Sequence, residues 1–516
     1  RKNGCSRKPP SRQRAIWKSR CQLKEKTVKK YRVLTIVLCF AFGLTCCKNQ
    51  SGADSDGEII SGGERREYFA ETYEEKTLPI MGFWAPDVDE ESYKLYKECG
   101  FNTVLLINNS SEKQIKNGKF VRDTTNTYYL GSEYTALALA MSRKFEMKAV
   151  LSLNDWLSDY SGSATPFTTR TTYEDYRDMI IGVHISDEPY KQQIDYYSRE
   201  SFIDDYKKAY GDLPYMLNLH PELTMSTAPQ LNFGMGKDAS YNDYVTYFCN
   251  NIVSKFNKNR YISVDLYPCT QRSATNKFLK SGWLHCYETI ANNALKYNCE
   301  YINYYIQAVE GEATDVRLPS EADIRLQVNM ALAYGANQIS YYTYNMPHDV
   351  DELGRIVAMY EKCILDNDGK PTVLYDAAKK VNAELAAFDD AYLAYKYCGT
   401  YPIFAKKNTK TDFAYLENRL DLSTLKRVSD ITADNETVVG LFGRDDGEQA
   451  FMLVNYSETT KNVTANVTVN LKDSEAVAVY GGIGFDGIPQ IIYAENGKVH
   501  IRLLSGEGKF FVPLKK

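Results

Sequence analysis

From Ile80 onward, short apolar runs recur along the chain and alternate with segments whose apolar positions follow helical spacing. The runs begin near Ile80 (IMGFWAP), Phe101 (FNTVLLIN), Lys148 (KAVLSLND), Ile180 (IIGVHISDEP), Pro214 (PYMLNLHP), Arg260 (RYISVDLYP), Tyr301 (YINYYIQAVE) and Gln338 (QISYYTYN). Such alternation predicts parallel strands wound with helices. Between the runs, Asp89 to Cys99 reads as a helix closed by Gly100, and Ser320-Glu-Ala-Asp opens another that ends near Tyr334-Gly335. The runs reach from Ile80 to Asn345, close to the ~250 residues of a (β/α)8 TIM barrel. An open doubly wound sheet would more often carry a Gly-rich phosphate loop after its first strand, and Trp84-Ala85-Pro86-Asp87 is not one.

Helical spacing continues to about Ala394, after which the pattern changes to period two. Apolar and polar residues alternate in Val499-His500-Ile501-Arg502-Leu503, Asn496-Gly497 marks a tight hairpin before it, and 448–456 and 462–471 look similar. The expected fold class is therefore α/β, a (β/α)8 barrel over 78–394 followed by an all-β sandwich over 395–516.

Upstream, Val33 to Leu44 is apolar, follows Lys29, Lys30 and Arg32, and is too short for a spanning helix of about 20 residues. It reads as the core of a signal peptide, with residues 1–27 preceding its natural start. The run ends in Leu44-Thr45-Cys46-Cys47, which resembles a bacterial lipobox and implies lipidation at Cys47. Residues 1–47 are then an upstream extension and lipoprotein signal, and the polar, Gly-rich 48–77 a flexible tether. The expected location is the periplasmic or cell-surface face of a bacterial membrane, with the membrane as partner through the lipid anchor.

Composition narrows the function. A formal charge of −4 gives no basic face for nucleic acid. Tyr, at 41, is abundant, which suits core and rim packing and also a cleft that stacks on sugars. Five of the 12 Cys fall before residue 48, the rest are odd in number, and no C-x-x-C pair occurs. Neither a zinc site nor a disulfide framework is supported, the five His are scattered, and no metal or cofactor is expected.

The ends of the runs are polar: Trp84, Asn108, Asn154 and Trp156, Asp187-Glu188, Asn218 with His220, Asp265 with Tyr267, Gln307 with Glu310, and Tyr342 to Asn345. In a barrel the chemistry sits at these C-terminal ends. Alternation assigns their directions. On the fourth run Ile181, Val183 and Ile185 should face the helices, which leaves Gly182, His184, Ser186 and Glu188 inward. On the sixth, Ser263, Asp265 and Tyr267 face inward, and on the fifth Asn218 and His220 share a face. Glu310 has the parity of Ile302, Ile306 and Ala308, the helix side, and Gln307 is the inward residue.

The layout, a Glu ending the fourth strand, and the run Arg325-Leu-Gln-Val-Asn-Met-Ala-Leu-Ala-Tyr-Gly-Ala-Asn-Gln-Ile-Ser-Tyr-Tyr-Thr-Tyr344 resemble clan A glycoside hydrolases, particularly β-galactosidase-like barrels, over roughly 80–345. That resemblance implies Glu188 as acid/base and Glu310 as nucleophile. Asp187 stands where the clan usually has Asn. The tandem Asp187-Glu188 also resembles substrate-assisted N-acetylhexosaminidases, in which Asp orients the sugar's acetamide and Glu protonates the leaving oxygen. A third arrangement pairs Glu188 with Asp265 across the pocket.

The candidate catalytic residues are thus Glu188, Asp187, Glu310 and Asp265. The candidate substrate-binding residues are Trp84, Asn154, Trp156, His184, Asn218, His220, Tyr267, Gln307 and Tyr342. The leading expectation is hydrolysis of O-glycosidic bonds in oligosaccharides. The alternative is a non-catalytic glycan-binding lipoprotein on the same scaffold. Convergence of polar and aromatic residues at the strand ends argues against a purely structural surface protein.

Overall fold

The structure is a computed structural model. It describes residues 67–107, 113–116, 119–122, 132–152, 173–222, 233–270, 282–311, 316–350, 356–403 and 422–515. Cys47, Asn108, Asn154 and Trp156 lie outside the described residues.

Each of the eight apolar runs forms a strand, because a short run of residues able to alternate between two buried faces fits a pleated sheet. The strands are β1 (Ile80–Gly82), β2 (Thr103–Leu105), β5 (Lys148–Ser152), β6 (Ile180–Asp187), β7 (Tyr215–Asn218), β8 (Tyr261–Asp265), β9 (Tyr301–Gln307) and β10 (Gln338–Tyr342). A hairpin of β3 (Lys113–Lys116) and β4 (Lys119–Arg122) follows β2, and another of β11 (His348–Val350) and β12 (Ile356–Ala358) follows β10. Neither hairpin was expected from the sequence pattern.

The eight strands form two four-stranded parallel sheets, ordered β1-β10-β9-β8 and β2-β5-β6-β7. Backbone hydrogen bonds link the sheets at both margins. Beyond β7, Leu219 forms a parallel bridge with Val264 and its N–H donates to the Ser263 carbonyl at 2.9 Å. At the other margin, the Asn102 N–H donates to the Ile80 carbonyl at 3.2 Å and the Ala85 N–H to the Ile107 carbonyl at 2.8 Å.

Helices connect the strands, with ends set by local chemistry. Asp89 caps Glu90–Glu98 by accepting from the Ser92 N–H at 2.8 Å, and Gly100 takes the left-handed φ of 89° that follows the helix. Ser320 and Asp323 cap Glu321–Ala333 reciprocally, and Gly335 follows it at φ 82°. Both helices run where the sequence pattern puts them. No helix among the described residues is long and apolar enough to cross a membrane.

Strand alternation divides the parallel region into two apolar layers. Val104, Leu151, Val183, Leu217, Val264 and Ile339 join the helices in the large core, and Met81, Leu105, Val150, Met216 and Tyr305 form a smaller cluster on the opposite face. The exception is β6. Its pairing with β5 slips between Ala149 opposite Ile180 and Val150 opposite Gly182, so Ile181 packs against the inner cluster and Ile180 takes the helix side. The expectation that Ile181 faces the helices is thereby corrected: a residue inserted in one strand reverses the alternation around it. Gly182 sits where a Cβ would lie 2.2 Å from the Met216 Cε, so the strand passes only with glycine there.

The C-terminal region contains two antiparallel sheets. The first is ordered β13 (Lys396–Ile403), β15 (Thr437–Gly443), β16 (Gln449–Asn455), β21 (Gly508–Pro513), β18 (Ala476–Tyr480), β19 (Gln490–Tyr493). The second is β14 (Val428–Ala433), β17 (Ala465–Leu471), β20 (Lys498–Leu503). They share a core that includes Val439, Phe451 and Phe511 from the first and Ile431, Val467 and Ile501 from the second. The region rests on helix Glu321–Ala333, where the Asn329 side chain donates to the Gly506 carbonyl at 3.0 Å and the absence of a Cβ at Gly440 leaves room for the Ala333 carbonyl.

Candidate active site

The C-terminal ends of β6, β7 and β8 bring Asp187, Asn218 and Asp265 together. Pairing Asp187 opposite Asn218 turns both side chains to the inner face, and Asp265 follows one strand on. The Asn218 Nδ2 donates to Asp187 Oδ1 at 3.0 Å and to Asp265 Oδ1 at 2.9 Å. Its Oδ1 accepts from the Ser263 hydroxyl at 2.8 Å. The Tyr267 hydroxyl donates to the second oxygen of Asp265 at 3.0 Å.

This places Asp187 differently from the strand-parity expectation. A second slip between His184 opposite Met216 and Ser186 opposite Leu217 reverses the alternation, so Asp187 takes the inward position assigned from sequence to Glu188. Glu188 lies beyond the strand at φ 44°, a left-handed backbone held where its N–H donates to the Asn218 carbonyl at 2.9 Å. Its Oε2 approaches the His220 Nδ1 at 3.5 Å. Glu188 therefore reaches the same site from the rim, by a turn rather than by pleat.

Asp187 and Asp265, held on one nitrogen with Glu188 beside them, resist simultaneous ionisation. Burial, followed by the charge of Glu188, raises the Asp187 pKa from 3.8 to about 7, against the lowering hydrogen bond from Asn218. Protein surrounds this carboxyl, but it stays open to water at the mouth of the site. Asp265 is 7% exposed. Burial first, then the charges of Glu188 and Asp187, hold it well above the usual carboxylate range, with Tyr267 and Asn218 opposing.

The other polar groups divide into free and occupied. His184 is buried on β6, its pKa lowered to about 4 by burial, so it is a neutral imidazole. His220 stacks on Phe233 with ring centres 4.4 Å apart. Among the described residues, His184 Nε2, both ring nitrogens of His220 and Trp84 Nε1 are buried without a hydrogen-bond partner. Aromatic rings make one wall: Tyr267 stacks on Tyr342 at 5.1 Å, and Tyr342 meets Tyr360 edge-on at 5.9 Å and Phe83 at 5.5 Å. Trp84 packs edge-on against Phe83 at 4.9 Å.

Gln307 and Glu310 are drawn away from this cluster. Gln307 faces inward as its parity indicates, but is fully buried, and its amide is spent on backbone. Its oxygen accepts from the Cys269 N–H at 2.8 Å, and its nitrogen donates to the carbonyls of Cys269 at 3.2 Å and Arg317 at 3.1 Å. β9 ends at Gln307; three residues later Glu310 enters an antiparallel bridge with Lys362 and its carboxylate pairs with the Lys362 Nζ at 2.7 Å. Among the described residues, no group of three His, Cys, Asp or Glu could hold a metal ion.

Sequence reading missed Asn303, Ser340 and Tyr360. Asn303 and Ser340 have inward parity on β9 and β10, which was a usable signal. Tyr360 arrives from the segment just after β12, and no pattern near it points to the site.

No family model matches the chain, and no curated protein matches it. Solved structures similar to it include a 4-O-α-L-rhamnosyl-β-D-glucuronidase from Fusarium oxysporum, at 10% identity over 84% of this chain and 95% of that one, with a TM-score of 0.43. An α-amylase from Anoxybacillus is similar at 11% identity, over 86% and 99% of the two chains, with a TM-score of 0.40. An endo-β-1,4-mannanase from Thermotoga petrophila is similar at 10% identity, over 83% and 97%, with a TM-score of 0.35.

Proposed function

We propose that this protein is a glycoside hydrolase of oligosaccharides, in which the two parallel sheets act as one (β/α)8 barrel and Glu188 is the general acid/base. The observation that carries this reading is the convergence of Asp187, Glu188 and Asp265 at the C-terminal ends of parallel strands, beside an aromatic wall. A glycosidic oxygen leaves poorly without a proton, and the oxocarbenium ion that develops needs a negative or nucleophilic group beneath it. Glu188, at the rim, is placed to exchange a proton with the leaving oxygen. Asp265, deep and hydrogen-bonded to Tyr267 and Asn218, answers the developing positive charge once it has given up its proton.

Glu310 is not needed as nucleophile in a substrate-assisted version of this chemistry. There the acetamide of an N-acetylhexosaminide attacks its own anomeric carbon, Asp187 orients the acetamide, and Glu188 protonates the departing oxygen. The engagement of Gln307 with backbone and of Glu310 with Lys362 favours this version over a two-Glu mechanism.

The same observation supports a second reading, a glycan-binding protein without turnover. Aryl glycosides, including N-acetylglucosaminide and N-acetylgalactosaminide, assayed with wild type and Glu188→Gln decide between them. Turnover lost in Glu188→Gln supports the hydrolase; turnover retained removes Glu188 from the mechanism; binding without turnover establishes the second reading.

We also infer an exported protein, lipid-anchored through Cys47 on the periplasmic or cell-surface side, with 48–77 as tether, the barrel over 78–394 and a β-sandwich over 395–516. Mass analysis of the mature N-terminus tests the anchor.

A further inference from the structure

We infer that Asn218 is a positioning residue: it is the last donor of a directed hydrogen-bond chain across four strands and clamps the carboxyls of Asp187 and Asp265 onto one nitrogen. This deepens the hydrolase reading and rests on it for the roles of the two acids, but the clamp itself rests on geometry.

The chain starts on β10. The Ser340 hydroxyl donates to Asn303 Oδ1 on β9 at 3.1 Å, and Asn303 Nδ2 donates to the Ser263 Oγ on β8 at 3.2 Å and to the Tyr261 hydroxyl at 3.1 Å. Because Ser263 Oγ already accepts from Asn303, its own hydrogen is free for Asn218 Oδ1, at 2.8 Å on β7. The carboxylate oxygens accept, so the amide turns its nitrogen to them, both of its hydrogens point at carboxylates, and its oxygen is left to the Ser263 hydroxyl. Ser340, Asn303, Ser263 and Asn218 are each no more than 2% exposed, so no water competes for these groups. Every link donates toward the acids, and aligned links polarise one another in a low-dielectric interior.

A neutral amide is a suitable clamp for this task. Its two hydrogens diverge, so the accepting oxygens are held about 5 Å apart. A lysine or arginine there would favour the ionised form of both acids and lower their capacity to hold a proton near neutral pH. Other titratable groups face the pair from each neighbouring element. Glu188 and His220 stand at the rim, His184 lower on β6, Tyr261 on β8, Tyr305 and Tyr342 on β9 and β10, Tyr244 on helix Tyr241–Asn251, Cys286 and Tyr287 on helix Trp283–Lys296, and Tyr360 just after β12. Tyr267 bonds Asp265 directly. Burial raises the proton affinity of these tyrosines, so they stay neutral, and His184 is a neutral imidazole.

Donation from Asn218 favours the ionised form of both acids, so its loss raises both proton affinities. The test is 13C NMR of the full chain labelled at aspartate Cγ, with the two resonances assigned through Asp187→Asn and Asp265→Asn. In Asn218→Leu both titrations should move to higher pH, by about one unit, a tenfold change in proton affinity. In Ser263→Ala, which leaves the carboxylates untouched but frees the amide to turn, both should move the same way by less. The second variant guards against a folding failure of the first. With an active wild type, both limbs of the pH–kcat profile should move upward together, whereas a purely structural role would lower kcat at every pH and leave the limbs in place. Titrations unchanged in both variants would overturn the inference even if glycosides are hydrolysed. Titrations that move while no glycoside is turned over would uphold the clamp and remove the hydrolase reading.

Discussion

Asp187 and Asp265 sit on strands separated by a third, yet their carboxyls accept hydrogen bonds from the same nitrogen, at 3.0 and 2.9 Å. With Glu188 beside them, the cluster carries more acid groups than can ionise together near neutral pH. Holding such a group ionised in the folded chain costs stability.

That cost has a defined pH dependence. The folded-state pKa of Asp187 lies at about 7, above the ordinary 3.8. Well below pH 3.8 the carboxyl is protonated in both folded and unfolded chains, and its contribution is constant. Between about 4 and 7 the unfolded chain ionises first, so stability falls as pH rises, and it levels off above. Asp187→Asn should therefore raise Tm relative to wild type by much more at pH 8 than at pH 4, as read by thermal melts at the two pH values. An equal difference at both would refute the raised proton affinity.

Glu188→Gln should lower kcat by about 10²- to 10⁴-fold on glycosides with poor leaving groups, the range of a lost general acid. The loss should be smaller on dinitrophenyl glycosides, whose leaving group departs without a proton. Steady-state assays on paired substrates measure this, and equal losses on both would deny Glu188 the role of proton donor.

Glu310→Gln should leave kcat within about twofold and cost less than ~1 kcal/mol of stability, since it breaks only a partly exposed ion pair with Lys362. Loss of a nucleophile would instead abolish turnover. Parallel kinetics and denaturant unfolding distinguish the two.

Gln307→Leu should destabilise the protein by about 1–3 kcal/mol, because it removes the buried hydrogen bonds that the Gln307 amide makes with the Cys269 N–H and with the carbonyls of Cys269 and Arg317. Urea unfolding gives the value. A raised KM at unchanged stability would mean that the side chain touches substrate instead.

Much of the parallel region was legible in the sequence. The starts of the eight strands, the capping of Glu90–Glu98 and Glu321–Ala333, and the inward face of β8 with Ser263, Asp265 and Tyr267 follow from local pattern. Alternation and capping depend on residues within a few positions of one another, so the chain specifies them directly. Tertiary structure decided the rest. The slips in β6 exchanged Ile180 for Ile181 on the helix side and brought Asp187 inward in place of Glu188, because a strand's register is set by its neighbours and one inserted residue reverses every pleat after it. Glu310 was committed by Lys362, 52 residues away, and Asn218 acquired its two carboxylates from strands on either side. Local pattern selects which residues can face the site; pairing across strands selects which of them meet.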